Sequence, residues 1–241
     1  MRSLQEIIDK GRRIVFFGGA GVSTASGIPD FRGENGLYRQ KYGELTPEMM
    51  LSASFFYLHP DRFFEFYREH MLHPEAKPNA AHWALYKLER MGKLRGVVTQ
   101  NIDGLHRMAG NRLVYELHGS VHENYCMDCN RQYDLNWLLH TEGVPRCPKC
   151  GGVVKPYVVL YGEAPDKYTC MGACREISNC DVLIVAGTSL AVEPAASFID
   201  YFHGRELVVI NNEETKADER ATLTLRGDVS QIMGDLNLPE V

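Results

Sequence analysis

The chain has 241 residues, 44% hydrophobic and 24% charged, with a net charge of −5 at pH 7. This is the balance of a globular protein with a core of its own, not of a disordered chain, and without a block of Lys or Arg it argues against nucleic acid as a partner. No signal-like apolar stretch follows Met1, and no run reaches the ~20 residues of a membrane span. A cytoplasmic monomer that avoids membranes is therefore expected, and its seven cysteines need a role other than disulfides.

Ser3-Leu4-Gln5-Glu6 has the spacing of a capping box, with Leu4, Ile7 and Ile8 on one helical face and Gly11 as a stop. Ile14-Val15-Phe16-Phe17 follows as a short buried strand. Gly19-Ala20-Gly21 then supplies the first two glycines of G-x-G-x-x-G at a strand-to-helix turn, but Thr24 stands where the third belongs. The backbone nitrogens of such a turn suit phosphates. The stretch runs on into Gly27-Ile28-Pro29-Asp30-Phe31-Arg32, which a dehydrogenase loop does not need. A dehydrogenase would also carry an acidic residue about 20 positions beyond the fingerprint, closing a second strand. Tyr38-Arg39-Gln40-Lys41 stands there instead.

Residues 33–77 differ in texture. Phe55, Phe56, Tyr57, Phe63, Phe64, Phe66 and Tyr67 crowd into helical patterns after Pro47 and Pro60, with no strand. This reads as a helical insertion whose rings build a small core. Asn79 caps a helix over 81–88, closed by Gly92. Gly96-Val97-Val98-Thr99 is the next strand, and it opens into Gln100-Asn101-Ile102-Asp103. Ligands of open α/β sheets bind beyond the carboxyl ends of strands. Amides and a carboxylate there can serve a polar ligand, or can only shape a turn. Residues 115–119 read as another strand, placing His118 at its end. A lone histidine is often a core residue, yet it is also the side chain best suited to act as a base near neutral pH.

Cys126-Met127-Asp128-Cys129 and Cys147-Pro148-Lys149-Cys150 are two C-x-x-C knuckles with seventeen residues between them, the spacing of a four-cysteine zinc site. Four protein ligands leave no open position, so the zinc is expected to be structural. Cys170, Cys174 and Cys180 are expected as free thiols. The runs 157–161, 181–186 and 207–210 read as further strands of a parallel sheet covered on both faces. Gly187, Thr188, Ser189, Asn211 and Glu213 follow two of these strands, where a dinucleotide would meet hydroxyl and ribose contacts.

Taken in order, these motifs resemble the sirtuins of bacteria and archaea, NAD-dependent protein-lysine deacylases. The likeness spans nearly the whole chain. Gly19-Ala20-Gly21-Val22-Ser23, Gly27 through Arg32, Thr99 through Asp103, Leu117-His118-Gly119, both knuckles, Gly187-Thr188-Ser189 and Val209-Ile210-Asn211 carry it. The resemblance implies an α/β fold: a Rossmann-like parallel sheet with helices on both faces, made from 1–32, 78–122 and 155–241. A small domain would combine the helical insertion 33–77 with a zinc-binding module at 123–154. It implies that NAD is consumed with acetyl-lysine, giving nicotinamide, O-acetyl-ADP-ribose and free lysine.

By the same resemblance, Gly19, Ala20, Gly21 and Thr24 line the pyrophosphate side, and Asp30, Phe31 and Arg32 adjoin the nicotinamide ribose. Asp103 and the Ile102 backbone hold the carboxamide, and Gln100 and Asn101 the ribose. His118 is the general base, with Asn101 beside it in the catalytic set. Gly187, Thr188, Ser189, Asn211, Glu213, Asp228 and Val229 surround the adenosine half. Val159, Tyr161, Gly162, Glu163 and Val192 clasp the acetylated peptide as an added strand. Tyr161 departs from the family's usual Phe, and its hydroxyl needs a partner. Gly18 departs from the usual Thr. In Tyr67-Arg68-Glu69-His70, His70 replaces the Arg of succinyl-preferring members, which favours neutral acyl groups such as acetyl. An NAD-linked dehydrogenase, an ADP-ribosyltransferase and a zinc-ribbon binding module are the other readings.

Overall fold

The computed structural model describes residues 2–33, 36–39, 42 and 45–240; Gln40 and Lys41 lie outside the described residues. Helix α1 (Leu4–Lys10) starts on the expected capping box, with Ser3 Oγ accepting from Glu6 N. It leads into β1 (Ile14–Gly18), every residue of which is buried. The insertion carries α2 (Pro47–Met50), α3 (Ala53–Leu58) and α4 (Pro60–His70), with Pro47 and Pro60 at their first turns. Proline fits there because its missing N–H would have had no helical partner. Next come α5 (Ala80–Arg90), β2 (Leu94–Thr99), α6 (Leu105–Met108) and β3 (Val114–Glu116). The zinc-ribbon region holds β4 (Gly119–Cys126), β5 (Gln132–Asp134), α7 (Leu135–Leu139) and β6 (Val154–Val158). The chain closes with α8 (Lys167–Asn179), β7 (Val182–Ala186), β8 (Glu206–Ile210), β9 (Leu223–Leu225) and α9 (Val229–Gly234).

Six strands form one parallel sheet in the order β3-β2-β1-β7-β8-β9. In chain sequence this is the 3-2-1-4-5-6 order of a Rossmann sheet, with its switch point between β1 and β7. Alternate residues of the central strands face opposite ways. Ile14, Phe16, Ile184 and Val208 pack with α1, α5 and α9. Val15, Phe17, Leu183, Val185 and Val209 pack with α8 and the 3-10 turn Ala195–Tyr201. A separate aromatic core joins α2, α3 and α4 to β4, α7 and β6.

Three local readings change. The segment after Gly19 forms two 3-10 turns, Ala20–Val22 and Thr24–Ser26, in place of an α-helix. The strand expected at 115–119 stops at Glu116, so Leu117 and His118 form the turn between β3 and β4. The run expected as a parallel strand at 157–161 is the end of β6 and a loop. β6 lies at the edge of an antiparallel sheet ordered β5-β4-β6. Pro156 explains the edge position, since it has no N–H to give a central ladder. Among the described residues no helix is long and apolar enough to cross a membrane.

A candidate nucleotide and peptide cleft

The loops after β1 and β7 touch directly. A Cβ on Gly19 would lie 2.7 Å from Thr188 Cβ, and one on Gly21 would lie 2.8 Å from Gly187 Cα. Gly21 N donates to Gly187 O at 2.9 Å, and Gly187 has φ +59°. The glycines thus close the switch point by letting two backbones meet, and the cleft opens above them.

One continuous cleft brings together Ala20, Thr24, Asp30, Phe31 and Arg32 from the first loop and Gln100, Asn101 and Ile102 from the end of β2. His118, Thr188, Ser189, Asn211 and Glu213 join them, with Asp228 and Val229 at the start of α9. Val159, Tyr161, Gly162, Glu163 and Val192 line its other flank, and Gly21 and Gly187 line it at the switch point. Of the residues expected at the site, Gly19 lies behind the wall. Asp103 lines an adjoining deeper chamber that shares Ala20, Phe31, Asn101 and Ile102 with the cleft.

The polar groups are held in place by one another. Asn101 Nδ2 donates to Ser23 Oγ at 3.1 Å, and Ser23 Oγ donates to Asp103 Oδ2 at 2.7 Å. Asp103 Oδ1 accepts from Leu105 N at 2.9 Å. Gln100 Nε2 donates to Thr188 Oγ1 at 3.2 Å. His118 Nδ1 donates to Gln100 O at 2.9 Å, which leaves Nε2 as the unprotonated, accepting nitrogen. Burial lowers the His118 pKa from its ordinary 6.5, partly countered by that backbone bond. The ring is therefore neutral at pH 7 and ready to take a proton.

The flank formed by 159–163 rests on an ion pair between buried Lys155 and partly exposed Glu163. Lys155, 3% exposed, donates to Glu163 Oε2 and Val158 O, both at 3.1 Å. Glu163 Oε2 also accepts from Leu160 N at 2.9 Å. The Tyr161 backbone bridges to the insertion, N to Leu51 O at 3.0 Å and O from Ala53 N at 2.9 Å. Its hydroxyl finds a partner in the hydroxyl of Tyr38.

Sequence reasoning did not single out Tyr38, Leu51, Met71, Asn212 or Gly227, which also line the cleft, nor the supporting Lys155. Lys155 carried a readable signal, a lone charge within the apolar run Val153-Val154-Lys155-Pro156-Tyr157-Val158. Tyr38 carried none, because its segment has no periodicity.

Away from the cleft, the Sγ atoms of Cys126, Cys129, Cys147 and Cys150 lie within 4.8 Å of one another. Cys129 to Cys147 is 3.7 Å and Cys126 to Cys150 is 3.4 Å. Tetrahedral zinc with bonds near 2.3 Å needs sulfurs about 3.8 Å apart. The four thiolates fit that ion, and they leave it no position for a substrate.

The Sir2 family model matches residues 19–194. The chain is 53% identical over 236 residues to a protein of Clostridium perfringens named NAD-dependent protein deacetylase, with 97% of each covered. It is 52% identical over 235 residues to a protein of the same name in Clostridium acetobutylicum, covering 97% of this chain and 96% of that one. Among solved structures, a Sir2–p53 peptide–NAD+ complex is 38% identical with a TM-score of 0.84, covering 97% of this chain and 96% of that one. Another Sir2 enzyme is 41% identical with a TM-score of 0.86, covering 95% and 93%. The strand order, the closed switch point, the cysteine tetrad and these likenesses together make the chain a member of the Sir2 family.

Proposed function

We propose that the cleft holds NAD along the ends of β1, β2, β7 and β8 and an acetyl-lysine peptide along 159–163 and Val192, and that the chain is an NAD-dependent protein deacetylase. The carrying observation is the His118 imidazole, held with its accepting nitrogen free in a cleft that polar loop ends and the Tyr161 flank both line. When bound, NAD would supply a ribose carbon whose bond to nicotinamide breaks as the acyl oxygen of acetyl-lysine captures it; a ribose hydroxyl then takes the acyl group and one water is consumed as the lysine amine leaves, so that NAD, acetyl-lysine and water give nicotinamide, O-acetyl-ADP-ribose and free lysine.

The chain's own groups bind, orient and accept a proton. Backbone around Gly19, Ala20 and Gly21, with Thr24, faces the pyrophosphate at the switch point, where close backbone approach suits phosphate oxygens. Phe31 and Arg32, beside Asp30, cover the nicotinamide ribose. Asp103, fixed by Ser23 and Leu105, and the Ile102 backbone orient the carboxamide in the deeper chamber. Asn101 and Gln100 hold the ribose. His118 Nε2 takes the proton of a ribose hydroxyl once the glycosidic bond has opened. Gly187, Thr188, Ser189, Asn211, Glu213, Asp228 and Val229 surround the adenosine.

On this reading 1–32, 78–122 and 155–241 form the nucleotide-binding domain, and 33–77 with 123–154 the small domain, β4 and β6 running between them. His70 is held at the Tyr42 hydroxyl and Arg68 is turned away to Gly143 O and Thr141 Oγ1. Neither guanidinium nor imidazole is then committed to an acyl carboxylate, which supports acetyl over succinyl. The partner is an acetylated protein segment, met by a cytoplasmic monomer with no nucleic-acid partner.

A panel of acetyl, propionyl, succinyl and long-chain acyl-lysine peptides with labelled NAD tests the reading by mass. Free lysine and O-acetyl-ADP-ribose are expected in equal amounts, fastest from acetyl. Label retained on protein, or NADH formed instead, would overturn it.

A further inference from the structure

The hydroxyl of Tyr161 meets the hydroxyl of Tyr38, and both rings line the cleft. The two residues belong to different sides of it. Tyr161 is anchored on the peptide side by its backbone bonds to Leu51 and Ala53. Tyr38 belongs to the segment that follows Phe31 and Arg32. Its N–H donates to Phe31 O at 2.9 Å, and Leu37 N donates to Asp30 O at 2.9 Å. The Phe31 ring lies 5.3 Å from the Tyr38 ring, and the Arg32 guanidinium stands 4.9 Å over it. Tyr38 therefore carries two residues of the nucleotide side on its faces and reaches the peptide side with its tip. Burial, with the Tyr161 bond, raises its pKa well above the ordinary value, so the phenol stays protonated and available for the bond.

We propose that this hydroxyl pair is a latch that makes binding of the nucleotide and of the acyl-lysine peptide cooperative. An acyl-lysine seated against the Tyr161 ring holds that hydroxyl where Tyr38 docks, and docked Tyr38 sets Phe31 and Arg32 at the nucleotide. Linkage requires the reverse effect by the same factor. The ring of residue 161 forms a wall whether or not it carries oxygen. Only the oxygen makes the latch, so Tyr38 and Tyr161 act here as positioning residues. The proposal rests on the reading of the cleft as a site for both substrates.

The test uses the full chain, its Tyr38→Phe and Tyr161→Phe variants and the double variant. The probe is ADP-ribose, which keeps both phosphates and both riboses but has no nicotinamide bond to break. Its dissociation constant is measured by calorimetry with and without saturating acetyl-lysine peptide. A net hydroxyl–hydroxyl bond corresponds to about threefold to tenfold in an equilibrium. In the unaltered chain the peptide should tighten ADP-ribose by about that factor. Either Phe variant should lose most of this tightening, and the double variant should lose no more than a single one.

Retained tightening in Tyr38→Phe, or losses that add in the double variant, would overturn the latch. So would an affinity change that is the same with and without peptide, because that is what a structural role alone produces. Failure of the unaltered chain to bind ADP-ribose or peptide would overturn the reading of the cleft, and the latch with it.

Discussion

At the level of single side chains, two histidine environments, one lining the cleft and one buried, do different work. His118 keeps one nitrogen bonded to a carbonyl and the other free, and its pKa is lowered by burial. His118→Ala should cut turnover of acetyl-lysine peptide by about a hundredfold or more with an unchanged far-UV circular dichroism spectrum; near-normal activity would remove it as the base. Because only the neutral ring accepts a proton, kcat/KM should be flat through neutrality and fall only below pH 6.5, the ordinary value. His82 and His106 are both buried, their ring centroids 4.6 Å apart. Neither nitrogen of His106 has a hydrogen-bond partner among the described residues. Burial lowers His82 to about 4 and His106 well below 6.5. In the unfolded chain both rings would gain protons below pH 6.5 while the folded ones stay neutral, so stability is intact above that pH and is lost as pH falls toward 4. His106→Leu should shrink the drop in thermal midpoint between pH 7 and pH 5. An unchanged drop would mean that other groups carry the acid sensitivity.

Among the elements, the loop after β6 is held by a charge that the sequence displayed openly. Lys155→Met leaves Glu163 half-buried without its cation, a loss of about 3 kcal/mol for a broken buried pair. It should also raise KM for the peptide, because Glu163 ties down the Leu160 amide. Equal KM values and equal denaturant midpoints would show the pair to be dispensable. The contact of the β1 and β7 loops is equally specific. Gly21→Ala puts a Cβ 2.8 Å from Gly187 Cα, and backbone on both sides cannot swing away. NAD binding should weaken by more than thermal stability falls, measured by calorimetry and melting of the same variant. Much of this was legible in the chain. Capping residues, paired knuckles and the apolar runs of β1, β2, β7 and β8 are local signals, and these produced their elements. The loop from β2 to Asp103 showed its polar groups because strand ends are where such residues have no packing reason to be. What stayed hidden was long-range pairing. β6 was read as parallel because a short apolar run has no direction of its own, and β9 was passed over because its Leu223 and Leu225 flank only one other residue. Tyr38 meets Tyr161 across 123 positions of chain, a distance over which no spacing rule operates.

The whole molecule has an apolar core on each face of the parallel sheet and a separate aromatic core, with a cleft lined by residues of both regions and a metal module beside it. The cysteine tetrad is remote from the chemistry, yet β4 runs from the His118 turn to Cys126 without interruption. Removing zinc with a strong chelator should therefore abolish deacetylation indirectly, by melting the module that continues this strand. Restored zinc should bring back both the circular dichroism signal and the activity; full activity in metal-free protein would detach the module from the site. The sheet order has one more result, in the time domain of synthesis. β1 sits at the centre of the sheet, but its second neighbour, β7, begins at Val182. At about 5–20 residues per second a ribosome takes roughly 10–30 s to travel from one to the other. Until β2 is made at Leu94–Thr99 the nascent chain holds Ile14-Val15-Phe16-Phe17 with both edges bare, and until β7 is made it keeps one bare edge; a chaperone that shields apolar strands has its natural point of action there.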